Sequence, residues 1–165
     1  MQFENAVIKS EISYEKALKK LAGGVTSEKE AIPLTTQYIE LIHNEMISSF
    51  GGCDGIRDNN LLLSVTDAPY QSFGGCDLYP TLFDKAAKYL VDFSRYQIFL
   101  DGNKRTGLAV ASTFLLTNGR TLGLSDDEAY SLVMDIANGK VTEVSVVSRM
   151  IEEKSQELSE HDKER

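Results

Sequence analysis

Ten consecutive residues, Gln97-Ile98-Phe99-Leu100-Asp101-Gly102-Asn103-Lys104-Arg105-Thr106, concentrate the residue types that could do chemistry. They lie between two strongly helical segments, so a tight loop must join those segments. Gly102 can take backbone angles closed to other residues, and Asn103 tolerates the left-handed region better than most. The turn leads straight into a helix expected to start near Lys104. A helix N-terminus leaves about four N–H groups unpaired and carries about half a positive charge, which suits phosphate. Lys104 and Arg105 oppose that dipole, and a bound polyphosphate would remove the conflict. Arg105 can grip phosphate oxygens bidentately, while Lys104 acts as a point charge. Asp101 is placed to help hold magnesium against the same phosphates, a role that takes one or two carboxylates. Phe99 would pack inward and fix the loop. The plain alternative is a helix–loop–helix connection whose Gly and Asn serve the turn and whose Lys and Arg are solvated.

The elements around this loop read as helices. Ser13 to Leu21 puts Tyr14, Ala17, Leu18 and Leu21 on one face, and Gly23-Gly24 ends it. Ser27-Glu28-Lys29-Glu30 is a capping-box pattern that Pro33 keeps short. Tyr38, Leu41, Ile42, Met46 and Ile47 recur at helical spacing from Thr35 to Phe50, and Gly51-Gly52 stops them. Asp58 to Val65 is a short helix ending before Pro69. Residues 69–80 mix Pro, Gly and aromatics, which suits an irregular loop or small hairpin. Thr81 caps a helix with Asp84 at its third position and a stripe running from Leu82 to Phe93. The helix from Lys104 to Leu116 is small and apolar nearly all round, so it is central and buried, and Asn118-Gly119 ends it. Ser125 opens a capping box for a helix to Ala137, and a last helix begins near Thr142 with Val144, Val147, Met150 and Ile151 inward. Beyond Glu152 the polar sequence is expected to fray.

The chain has 165 residues, enough for one ordinary domain, and 42% apolar residues suffice for a core. A formal charge of -8 speaks against a broad nucleic-acid interface, which needs clustered cations. It leaves room for one nucleotide, which needs only a local nest of N–H groups and a cation or two. No apolar stretch approaches the roughly 18 residues that span a bilayer, and the N-terminus lacks a secretory pattern, so a cytoplasmic protein is expected. Cys53 and Cys76 sit in two copies of Ser-Phe-Gly-Gly-Cys-Asp, too few residues for zinc and expected as unpaired thiols.

Gln97 to Thr106 resembles the signature of the Fic/Doc (Fido) family, His-x-Phe-x-Asp-(Gly/Ala)-Asn-(Lys/Gly)-Arg. Lys104 is the choice of its Doc-like (death-on-curing) branch, where Fic-type adenylyltransferases have glycine. Ile42-His43, Phe50-Gly51-Gly52, Gly55-Ile56-Arg57-Asp58, Leu61-Leu62, the run from Leu78 to Ala87, Phe114-Leu115 and Asn118-Gly119 are similar to Doc-like proteins as well. The resemblance implies a single all-α domain over 33–151, after an N-terminal extension 1–32 and before a polar tail 152–165. It implies ATP or another nucleoside triphosphate with Mg2+. Asp101 would assist the metal, and Gly102, Asn103, Lys104 and Arg105 would hold the phosphates. The flap at 69–80, with Phe73, Leu78 and Tyr79, would position a target protein's backbone. Fic-type members transfer AMP to a hydroxyl, and Doc-type members transfer a phosphoryl group to a translation elongation factor and are silenced by an antitoxin.

The departure is Gln97, which stands where the family's general-base histidine would be. An amide oxygen accepts a hydrogen bond but is too weakly basic to keep a proton near neutrality. Tyr96 is no easy substitute, since an unperturbed phenol titrates near ~10. His43, on the helical stripe, is expected to be structural, and His161 lies in the tail. Three readings follow: an impaired transferase, a degenerate member that binds nucleotide or a partner as a regulator, or an engineered inactive toxin. Ser148-Arg149-Met150-Ile151-Glu152 also loosely resembles the family's inhibitory Ser-x-x-x-Glu, with Glu153 where Gly or Asn is usual.

Overall fold

The computed structural model describes residues 30–159, so the expected helix at 13–21 lies outside the described residues. Six α-helices follow one another: α1 (Thr36–Phe50), α2 (Asn59–Asp67), α3 (Leu82–Arg95), α4 (Asn103–Thr117), α5 (Asp126–Ala137) and α6 (Val144–Lys154). A 3-10 turn at Ala68–Tyr70 and a two-stranded antiparallel hairpin, β1 (Ser72–Phe73) and β2 (Cys76–Asp77), fill the interval between α2 and α3. The all-α expectation with a small hairpin at 69–80 is therefore what the chain adopts.

Local chemistry starts most of these helices. The side chains of Thr35 and Asp58 accept N–H bonds from Tyr38 and Leu61, capping α1 and α2. Thr81 with Asp84, and Ser125 with Glu128, form reciprocal capping boxes at α3 and α5. Among the described residues, neither α4 nor α6 has a side-chain cap.

Helix α4 runs through the middle of the fold, with polar and apolar residues from Thr106 to Leu115 buried except Leu108. Gly107 lets it cross α3 closely, because a Cβ there would sit 2.7 Å from the Phe93 Cβ. Tyr89, Phe93, Phe99 and Phe114 are fully buried around this crossing, each contributing about 2 kcal/mol by area. Ring contacts run from Tyr89 to Phe114 and from Phe93 to Phe99.

Several details differ from the expectation. Leu41 is 60% exposed and Met150 is also exposed, because their periodic positions fall at the edges of the buried stripes. Helix α2 runs two residues past Val65 before Pro69 enters the 3-10 turn. Residues after Lys154 do not simply fray: Thr121 N–H bonds the Gln156 carbonyl at 2.8 Å and Leu158 N–H bonds Gly119 at 3.1 Å. Backbone pairing with 119–121 compensates there for the missing apolar pattern. At the other end, Asn118 holds the Ile32 backbone with bonds of 2.7 and 3.1 Å.

Candidate anion-binding site

Between the end of α3 at Arg95 and the start of α4 at Asn103, the chain turns through residues 96–102. Gly102 takes φ 75°, a left-handed conformation that glycine adopts without steric cost. No side chain caps α4 there among the described residues, which leaves the N–H groups of its first turn without a side-chain acceptor. Lys104 is exposed and Arg105 half-buried in that turn. With Asp101 and Gly102 they line one end of a cavity of about 880 Å3 that continues between α4 and α5.

Asn103 holds the loop that precedes α4. Its Oδ1 accepts the N–H groups of Ile98 and Phe99 at 3.0 and 2.8 Å, and its Nδ2 donates to the Phe99 carbonyl at 3.0 Å. The side chain is buried, with Oδ1 and one Nδ2 hydrogen holding the backbone at 98 and 99, so it shapes the loop.

Asp101 is exposed and ionised. The Gly102 N–H bonds its Oδ1 at 2.7 Å and the Cys53 N–H approaches Oδ2 at 3.3 Å. These backbone donors, helped by the charge of Arg105, hold its pKa below the usual carboxylate range. Arg105 donates to the Gly51 carbonyl at 3.0 Å and lies 5.9 Å over the Phe50 ring. A single segment, 50–58, thus touches both charged groups. It also straps the loop through Leu100 N–H to Gly55, Arg57 N–H to Ile98 and a bridge between Ile56 and Phe99. Gly52 has to be small here, since a Cβ would lie 2.6 Å from Asp101 Oδ2.

His43 completes the support. Its ring stacks on Phe99 at 3.8 Å, and Nε2 lies 2.9 Å from the Asp101 carbonyl oxygen. A carbonyl can only accept, so Nε2 carries the proton and has no lone pair to offer a target hydroxyl. Nδ1 faces Asp54 at 3.8 Å. The structural role expected for His43 holds, and no replacement base is found in it. Phe99 is fully buried as expected. Gln97 is exposed, with no hydrogen-bond partner among the described residues.

The flap residues divide. Phe73 is 82% exposed and Leu78 is also exposed at the hairpin. Tyr79 instead faces α3: its carbonyl accepts from the buried Lys85, and Lys88 lies 5.5 Å over its ring. Lys88 in turn bonds the buried Asp92 at 2.8 Å, and the Tyr96 N–H bonds the Asp92 carbonyl. Burial, only partly opposed by Lys88, keeps the Asp92 carboxyl above its ordinary range. Ser148, expected from a loose inhibitory motif, buries its hydroxyl against Asp84 at 2.7 Å, far in sequence from the loop. Cys53 and Cys76 are exposed free thiols. The strap at 50–58 is what sequence reasoning missed as a unit: its glycines read as a helix stop, with no local sign of what they would touch.

The loop, strapped by a Gly-Gly segment, feeds the central helix of the fold. Residues 33–115 match the Fic/DOC family, and the chain belongs to it. It is 41% identical over 91 residues to Toxin Doc of Mycolicibacterium smegmatis, covering 54% of this chain and 70% of that one. It is 31% identical over 109 residues to Protein kinase doc of Escherichia phage P1, covering 66% of this chain and 85% of that one. No described helix is long and apolar enough to cross a membrane.

Proposed function

We propose that the chain is a Doc-type toxin of a toxin–antitoxin pair that binds a nucleoside triphosphate, ATP above all, at the start of α4. Its transfer of a phosphoryl or AMP group to a protein hydroxyl is impaired by Gln97. The observation that carries the reading is the uncapped N-terminus of α4, flanked by Lys104, Arg105 and an ionised Asp101. Anionic phosphates would take the N–H groups left without a side-chain acceptor and relieve the two cations of their conflict with the dipole.

Magnesium fits the donors present. Among the described residues no three His, Cys, Asp or Glu form a metal-holding group, so Asp101 would share the ion with phosphate oxygens. When bound, the ion supplies charge neutralisation on the phosphates. Arg105 would keep its fork on phosphate oxygens, with Gly51 already orienting it. Gln97 can accept a hydrogen bond from a target hydroxyl and orient it, but it cannot keep the proton. Exposed Phe73 and Leu78 on the hairpin suit contact with a target protein's backbone, a translation factor being the target class that the family resemblance implies. An antitoxin-type inhibitor is the expected partner, since one relative is named as a toxin.

A second reading, a nucleotide- or protein-binding regulator without chemistry, is favoured by Gln97 and by the engaged Nε2 of His43. Transfer from γ- and α-labelled ATP to protein in a cell lysate separates the two. Gln97→His should raise transfer by about 10²–10⁴, the usual worth of a general base. Vigorous transfer by the native chain would overturn the impaired-base account. No transfer by Gln97→His would favour the regulator.

A further inference from the structure

The hairpin between α2 and α3 has little of its own to orient it. Each strand is two residues long, and every residue from Gln71 to Leu78 is exposed. A two-stranded hairpin with no buried face is marginal in water, so its orientation has to come from its base. There the Leu78 N–H bonds the Gln71 carbonyl at 3.0 Å, which closes the hairpin without tying it to the body.

Lys85 makes that tie. Its ammonium donates to the Tyr79 carbonyl, lies 3.9 Å from Asp77 Oδ2 and sits 5.2 Å over the Tyr70 ring. Tyr70 stands at the entry of the hairpin, and Asp77 and Tyr79 stand at its exit, so one side chain grips both ends. Tyr79 is held a second time by Lys88 over its ring, and Lys88 is itself fixed by Asp92. Lys85 is only 6% exposed and is the fourth residue of α3. Burial penalises an ammonium, and the helix dipole disfavours a cation at that end. An apolar side chain of the same length would avoid both costs, so the charge is explained by the groups it holds.

We propose that Lys85 is the positioning residue of the target flap, holding the outer edges of the hairpin where a target protein's backbone can pair with them. The proposal rests on the reading of this hairpin as the target flap. Helix α3 carries the anchor near its start and the loop at 96–102 at its end, so one rigid element places both. An extended target segment on a strand edge needs a fixed register before its hydroxyl can meet Gln97. With the grip lost, the hairpin would sample many orientations, and transfer to the target would fall while nucleotide binding at α4 would not.

A nitroxide label on the native Cys76, in a Cys53→Ser background, reads the anchoring without target or nucleotide. Lys85→Met keeps the apolar stem of the side chain and removes the ammonium. The label's spectrum should pass from a hindered to a freely rotating form, with helical circular dichroism unchanged. The same spectrum in both proteins would overturn the proposal. Should Lys85→Met fail to fold, Tyr70→Leu removes the ring at the hairpin entry and should loosen the label in the same direction. An unmoved label there would overturn the proposal equally. The second arm reads transfer in a Gln97→His background. Adding Lys85→Met should lower transfer from labelled ATP to lysate protein by about 10²-fold, the scale of a misplacement of about 1 Å. Calorimetric affinity for ATP and magnesium should stay the same, which a general weakening of the fold would not allow. Unchanged transfer, or transfer and ATP affinity falling together, would overturn the positioning role. Absence of transfer by Gln97→His itself counts against the proposed function and leaves the label to decide the anchoring.

Discussion

At the start of α5, Ser125 and Glu128 bond each other's backbone N–H groups, and Asp126, Asp127 and Glu128 complement the helix dipole. At the start of α4, Gly102 offers no side chain, no acid stands in the first turn, and Lys104 and Arg105 oppose the dipole. Both ends border the same cavity. The first satisfies its own donors and gains stability from local residues. The second leaves its donors open, and rigidity comes instead from Asn103, His43 and the strap at 50–58. The difference marks where the chain leaves stability unused and keeps donors available for a ligand.

Breaking the rigid support of the α4 end should have the largest effect on stability. Asn103→Ala would strand three buried backbone groups of Ile98 and Phe99. At about 1 kcal/mol or more for each group, a loss of about 3 kcal/mol is expected in urea unfolding. A loss below about 1 kcal/mol would mean that the strap alone holds the loop.

Removing the self-contained cap is the matched perturbation. Ser125→Ala should cost about 1 kcal/mol and leave ATP binding unchanged, read by urea unfolding and calorimetry on one preparation. A loss of ATP affinity there would erase the distinction between the two helix ends.

The smallest effect is one of pH. The Lys154 ammonium and the Ser125 N–H hold Glu128 down at about 2, against an ordinary value of 4.5. Its folded pKa is depressed, so its contribution is present above pH 4.5 and is lost as the pH falls toward 2. Glu128→Gln should flatten the melting temperature across that window, by a small amount because the pair is solvent-exposed. An unchanged pH profile would show that the pair contributes nothing measurable.

Which parts of this were legible in the sequence follows from range. Thr81 with Asp84 and Ser125 with Glu128 act over three residues, so their patterns alone located α3 and α5. Asp101 to Arg105 were legible for the same reason, as a glycine turn entering a helix with the wrong charges. Asn103 was not, because an amide that holds the backbone at 98 and 99 looks the same in sequence as one that meets phosphate. The strap was invisible as a unit because its contacts join positions more than 40 residues apart. Leu41 and Met150 show that periodicity finds a face but not its edge. The contacts of Tyr79 with Lys85 and Lys88 of α3 carried no signal in the sequence.

The central claim, that the start of α4 is left open for a polyphosphate, meets its most direct test in calorimetry with ATP and magnesium on the native chain and on Lys104→Glu. Binding by the native chain and none by Lys104→Glu is the expected result. The same substitution should leave the unfolding free energy unchanged or raise it by about 0.5 kcal/mol, because an acid there suits the helix dipole. Failure of the native chain to bind, or equal binding by both proteins, would contradict the claim.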